Sequence, residues 1–149
     1  MRIFIDADAC PVKEETLKVA GRYGLQTFIV SNGGMRPSRD PLVKVVVVPE
    51  GADAADDWIV EQAQAGDIAI TADIPLAARL LEKQAQPLGP TGKPFTEQTI
   101  GMALAVREIK QHQREATQTQ TRNAGFTPRD RSNFLQALDK LVQQTRKRG

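Results

Sequence analysis

Ile3-Phe4-Ile5-Asp6-Ala7-Asp8-Ala9-Cys10-Pro11 is the stretch on which the reading of this chain turns. Its first three residues, two β-branched and one aromatic, form a short apolar run of the kind that makes a buried strand. Asp6 and Asp8 follow at a spacing of two, so their carboxylates fall on the same side wherever the chain stays extended. Pro11 suits the first position of a helix, where its missing N–H removes nothing. The order strand, acidic loop, helix places both acids past the carboxyl end of a strand. That edge is where open α/β sheets bind ligands.

The rest of the chain repeats the pattern. Val12 to Tyr23 reads as a helix with an apolar face of Val12, Leu17, Val19 and Ala20, stopped by Gly24. Gln26 to Val30 is a second strand, ending at Ser31-Asn32-Gly33-Gly34. After a loop with two prolines and two arginines, Val43 to Val48 is a third strand, and its valine run predicts burial on both faces. Asp53 reads as the cap of a helix reaching about Ala65, with Ile59, Val60 and Ala63 on its apolar face and Trp58 beside them. Ile68 to Thr71 is a fourth strand, running into Ala72-Asp73-Ile74-Pro75 and a helix to about Gln84. A fifth short strand falls at Gln86–Leu88. Alternating strands and helices with short connections imply a parallel sheet layered by helices: an α/β fold of four to five strands.

Beyond the sheet, Thr96 is a good cap for a helix to about His112. A polar, Gln- and Thr-rich connection follows over 113–127. Pro128 opens a last helix, through Phe134, Leu135, Leu138 and Val142, with Ser132 as a candidate cap. The domain boundaries expected from this are 1–112 for the α/β body, 113–127 for the linker and 128–149 for a basic helix packing on or extending that body.

With 149 residues, 40% apolar and 26% charged, the chain is long enough for one cored domain. Its longest apolar runs are strand-length, far short of the ~18 residues of a membrane span. One cysteine permits no internal disulfide, and no signal-peptide pattern opens the chain, so a cytoplasmic location is expected. The net charge of +2 hides an asymmetry: residues 107–149 carry ten Lys/Arg and four Asp/Glu, a net of +6. A basic tail on an acidic body suits nucleic acid or phosphate, while a solvated terminal helix has the same composition.

If the strands are parallel, their carboxyl ends share one edge, and Asp6, Asp8 and Asp73 meet there. Asp56 and Asp57, in the first turns of the helix after the third strand, approach the same edge. Crowded carboxylates repel one another, and a hard divalent cation relieves that. Oxygen ligands without a His or Cys set point to Mg²⁺ or Mn²⁺ rather than Zn²⁺, with Asp6, Asp8 and Asp73 as the ligands. Such ions serve phosphoryl transfer. The competing structural reading is that Asp53 caps a helix and that Asp56 and Asp57 complement its dipole. Lys13, Ser31, Asn32 and Arg131 are candidate phosphate contacts; an internal ion pair serves Arg131 equally well.

Asp6-Ala7-Asp8-Ala9-Cys10-Pro11-Val12-Lys13, Asp53-Ala54-Ala55-Asp56-Asp57-Trp58-Ile59 and Ile70-Thr71-Ala72-Asp73-Ile74-Pro75-Leu76-Ala77 closely resemble the YaiI/YqxD family of small bacterial proteins. Gly92-Lys93-Pro94-Phe95-Thr96 and Arg129-Asp130-Arg131-Ser132 with Phe134-Leu135 extend the match over nearly the whole chain. The resemblance implies a PIN-like, three-layer fold. PIN domains are usually metal-dependent ribonucleases with acids at the sheet's carboxyl edge, so RNA is the partner implied. By the same resemblance Asp6 matches the first-strand acid, Asp73 the later strand-end acid, and Asp56 or Asp57 the middle one. Asp8 is additional, and no Glu fills a fourth position.

Two other functions fit the same residues. Asp6-x-Asp8 resembles the nucleophile motif of haloacid-dehalogenase-like phosphatases, and Ser31 their second motif, with Asp6 attacking phosphorus and Asp8 as general acid/base. Ala9-Cys10-Pro11 replaces the usual flexible turn and Thr, and Lys44 is the one lysine available for the third motif. The second alternative is a non-catalytic nucleic-acid-binding or regulatory module. Aromatic residues make up 5% of the chain, so base stacking is not its mode. Gly89-Pro90-Thr91-Gly92-Lys93-Pro94 lacks P-loop spacing and reads as a turn. Cys10 reads as a small buried residue and His112 as a solvated one.

Overall fold

The computed structural model describes residues 1–7, 11–33, 39–49, 54–102, 105 and 126–148. Asp8, Cys10, Asp53, His112 and most of the polar connection lie outside them. Among the described residues there are five strands: β1 (Ile3–Asp6), β2 (Thr27–Ser31), β3 (Val43–Val47), β4 (Ile68–Ile70) and β5 (Gln86–Leu88). They form one sheet in the order β3-β2-β1-β4-β5, and every ladder is parallel. Four helices cover it: α1 (Lys13–Tyr23), α2 (Ala54–Gln62), α3 (Ile74–Glu82) and α4 (Pro128–Arg148). Residues 97–102 are also helical, and Thr96 caps them by accepting the Thr99 N–H at 3.1 Å.

Period-2 alternation divides the sheet into two faces. Ile3, Ile5, Ile29, Ile68 and Ile70 pack with α1 and α4, whose Val19, Phe134, Leu138 and Val142 complete that core. Phe4, Val30 and Ala69 point the other way, against Ile59 of α2 and Leu76 and Leu80 of α3. Phe4 stacks on Phe28 at 5.2 Å, with Trp58 of α2 edge-on to Phe4 at 6.0 Å, which fixes α2 over the sheet. The fold is therefore a three-layer α/β sandwich with a basic C-terminal helix built into one outer layer.

Two details correct the sequence reading. The valine run of β3 does not lie in the sheet's interior: β3 is an edge strand, and Val47 is 60% exposed. A valine run encodes strand propensity and apolarity but not the strand's place in the order. The cap of α4 is Thr127 rather than Ser132. Thr127 Oγ1 accepts the Asp130 N–H at 3.1 Å, and Asp130 Oδ2 accepts the Thr127 N–H at 3.0 Å, a reciprocal capping box across Pro128.

The Gly89–Pro94 turn has a structural duty. Leu88 forms an antiparallel bridge with Pro94, and Gly92 sits at φ +91° against the backbone of α4. A Cβ there would lie 2.8 Å from the Asn133 carbonyl oxygen and 3.1 Å from Phe134 Cα. Only glycine lets the turn press the last helix onto the β5 side. Gly92→Ala is expected to cost about 2–4 kcal/mol, combining backbone strain at positive φ with overpacking against a rigid main chain. Gly21→Ala, mid-helix with open space around it, is expected to be neutral or stabilising by up to about 1 kcal/mol. Urea denaturation of both variants checks the contrast.

Candidate functional site at the carboxyl edge

The strand order fixes where a ligand site belongs. From β1 the chain steps outward one way to β2 and β3, then returns to the other side of β1 for β4 and β5. The carboxyl ends of β1 and β4 therefore flank the switch point, where connecting loops diverge and leave a crevice. β1 ends on Asp6, 6% exposed. Directly after β4 comes Thr71, whose hydroxyl donates to Asp6 Oδ2 at 3.1 Å. The same hydroxyl oxygen accepts the Asp73 N–H at 3.0 Å. One buried threonine thus joins the two strand-end acids across the switch. Sequence reasoning passed over Thr71; its signal is a threonine at the end of an apolar strand, two residues ahead of an aspartate.

The remaining candidates divide between this edge and local duties. Asp73 caps α3: its Oδ1 accepts the Leu76 N–H at 2.9 Å, and Pro75 sits in the first turn as expected. Asp56 and Asp57 open α2, over the sheet face to which Asp6 belongs by strand parity. Asp57, the more exposed, pairs with Arg79 of α3 at 2.8 Å, and Asp56 beside it is half-buried. Ser31 ends β2 next to β1, and its hydroxyl closes a local turn, accepting from Gly33 N at 3.2 Å and donating to Gly33 O at 3.0 Å. Asn32 follows it, exposed, and Lys13 is the half-buried first residue of α1. Lys44 is exposed near the amino end of β3, away from the carboxyl edge.

Arg131 makes contacts within the molecule while its side chain stays 46% exposed. Its Nη1 donates to the Pro11 carbonyl at 3.0 Å and to Glu15 Oε1 at 3.1 Å, and its guanidinium lies 4.9 Å from the centroid of the Phe126 ring. It ties the first turn of α4 to the start of α1.

Among the described residues, no three of His, Cys, Asp and Glu gather closely enough to hold a metal ion; Asp8 lies outside them. Asp6 and Asp73 offer two carboxylates, all-oxygen donors of the number that holds Mg²⁺ when water and substrate phosphate complete its shell. The donor chemistry fits a hard cation retaining most of its water and does not fit an all-protein cage.

A three-layer, all-parallel α/β protein with a buried aspartate at its switch point is the class that fold and site define. The chain belongs to the YaiI/YqxD family, whose model, described as uncharacterised, matches residues 4–144. It is 58% identical over 145 residues to a UPF0178 protein of Mesorhizobium japonicum, covering 97% of this chain and 94% of the relative. It is 57% identical over 146 residues to a UPF0178 protein of Parvibaculum lavamentivorans, at 98% and 96% coverage. No solved structure matches the chain. Among the described residues no helix is long and apolar enough to cross a membrane.

The Asp6–Thr71–Asp73 chain of hydrogen bonds generates a direct test. Thr71→Val keeps the shape but removes one hydrogen bond from Asp6 and the acceptor of the Asp73 N–H. The expected cost is about 1–3 kcal/mol, because buried polar partners lose their satisfaction. Thr71→Ser keeps the hydroxyl and is expected to recover most of that stability. Urea midpoints of the two variants separate the hydroxyl's role from the methyl's.

Proposed function

We propose that this chain is a divalent-metal-dependent phosphodiester hydrolase of the PIN-like ribonuclease type. The observation that carries the reading is the position of Asp6: a carboxylate buried at the carboxyl end of the central strand, beside the strand end that supplies Asp73. Keeping a buried carboxylate has a desolvation cost that a fold tolerates where the group has work to do. Asp6 and Asp73 would hold Mg²⁺ or Mn²⁺, and Asp8, three residues before Pro11, would join them. The ion would polarise a phosphoryl oxygen and lower the pKa of a bound water. Asp56, from α2 on the Asp6 side of the sheet, would orient the attacking water. Thr71 would keep the Asp6 carboxylate turned toward the crevice.

RNA would approach from the α4 side. The amino end of α4 lies at the carboxyl edge, because Arg131 reaches Pro11 there. Exposed Arg129 in that first turn, together with Lys13 and Asn32, would meet backbone phosphates; Lys140 and Lys147 extend the basic surface away from the edge. The phosphomonoesterase alternative is less well served. Ser31 spends its hydroxyl on Gly33, and Lys44 is remote from the edge.

Mn²⁺ titration of wild type and Asp6→Asn, with single-stranded RNA and a small phosphate ester as parallel substrates, tests the reading. The expected result is Mn²⁺-dependent RNA cleavage by wild type and a loss of about two orders of magnitude or more in Asp6→Asn. Hydrolysis of the phosphate ester without RNA cleavage would move the assignment to a phosphatase. Equal Mn²⁺ responses with neither substrate turned over would leave a binding module.

A further inference from the structure

We propose that β3 is a self-association edge, along which a second copy of this chain adds in antiparallel fashion to make a continuous ten-stranded sheet. The argument starts from backbone geometry. In a parallel ladder, alternate residues of a strand turn their N–H and C=O to one neighbour. Thr27 N donates to Leu42 O, and Val48 N donates to Ser31 O, so the even residues of β3 face β2. The amide groups of Val43, Val45 and Val47 consequently point outward. The Val43 N–H is already taken by the Asp40 carbonyl at 3.0 Å. Among the described residues, nothing pairs with Val45 or Val47 on that side.

Edges left to solvent are normally blunted by charge, proline or a bulge. Here Lys44 is the one charge, Pro49 comes after the strand, and between them stand Val45, Val46, Val47 and Val48. Of the four exposed large apolar residues in the described structure, two belong to this segment: Val47 and Leu42.

The segment is complementary to itself in a register centred on Val46. Identical strands paired about a two-fold axis normal to the sheet must match residues of equal parity. Centring on Val46 sets Val45 against Val47 of the partner, and Val47 against its Val45. All four outward amide groups of these two residues then find partners, and none is left over. The next pair is Val43 against Pro49, where one N–H is already bonded and the other does not exist, so the ladder stops at both ends without an orphaned donor. Centring on Val45 makes as many bonds but leaves the Val47 carbonyl, within the strand, facing the occupied Val43 N–H; the Val46 register confines that mismatch to Val43 and Pro49 at the ends of the ladder. Centring on Lys44 opposes two like charges. The Val46 register also buries Val47 against Val45 on the α1/α4 face and Val46 against its own mate on the other.

The two-fold axis keeps α1 and α4 of both copies on the same side of the extended sheet. It also turns the two carboxyl edges in opposite directions, so both crevices stay open. A contact confined to one five-residue strand falls below the ~1,200–2,000 Å² of standard stable interfaces. Dissociation in the micromolar range or weaker is therefore expected, visible as concentration dependence.

Sedimentation velocity over a concentration series, from low to high micromolar, reads the association. Wild type is expected to move from monomer toward dimer. Val47→Lys, an exposed position, is expected to weaken association about tenfold or more, since the change acts at both symmetric contacts, with an unchanged melting temperature. Register is read by oxidative cross-linking, with wild type as the control for Cys10. Val46→Cys is expected to form an intermolecular disulfide, because non-hydrogen-bonded antiparallel pairs bring Cα atoms to about 4.5 Å. Val45→Cys is expected to cross-link far less. Monomeric wild type throughout, or dimerisation of Val47→Lys equal to wild type, overturns the proposal. Cross-linking at 45 in preference to 46 overturns the register.

Discussion

Burial of β1 on both faces and both edges is the constraint from which the rest of the molecule follows. Ile3, Phe4 and Ile5 show no exposed surface, and β2 and β4 pair with them on either side. A strand held that way can leave the sheet only at its ends, so the first polar residue, Asp6, emerges at the carboxyl edge. Parallel pairing on both sides also forces the connections to cross over the faces, which is why each face acquires helices. The position of the acid and the layered architecture thus have one cause.

The two ends of β1 are secured by different chemistry. At the amino end, Asp67 accepts from Arg2 N at 2.9 Å, Arg2 Nη2 at 3.0 Å and Gln64 N at 2.9 Å, while the Arg2 guanidinium lies over Phe4 at 5.3 Å. That bracket satisfies a nearly buried carboxylate with three donors and clamps β1 to β4. Charge-assisted bonds to a carboxylate are among the stronger contacts a fold makes, so the Arg2–Asp67 bracket is a firm clamp. At the carboxyl end, the Thr71 hydroxyl links the same two strands by donating to Asp6 Oδ2. The switch-point crevice of the sheet opens at this second end, beside Asp6 and Thr71.

Features that rest on local chemistry were legible in the sequence. Gly24 ends α1 in the left-handed region at φ 66°, and Pro75 lies in the first turn of α3. Features that depend on the chain's distant neighbours were not. Nothing within Gly66-Asp67 distinguishes a helix terminator from the acceptor of Arg2, because Arg2 lies at the other end of a long sequence separation. Thr71 reads as one more strand residue until β1 is known to be its neighbour. The valines of β3 look interior because apolarity is a property of residues, whereas edge or centre is a property of the order in which strands join.

The C-terminal charge illustrates how far composition can be carried. A net of +6 over residues 107–149 suggests a surface that attracts phosphates. Part of that charge is inside the fold's own ledger of contacts: Arg131 meets Glu15 and the Pro11 carbonyl, and Arg146 lies 5.4 Å from the centroid of the Tyr23 ring. Arg22 and Tyr23 of α1 both reach Asp139 of α4, so the acidic residues of the helix are engaged as well. Pairs this exposed contribute little to stability singly. Their effect is geometric, since they set the register of α4 on α1 and so decide which cations remain outward. Among the described residues, Arg129, Arg131, Lys140, Arg146 and Lys147 all lie exposed on the helix. They are spread along its length rather than gathered at one point, so the net charge of the segment overstates the charge that any one patch of the surface presents.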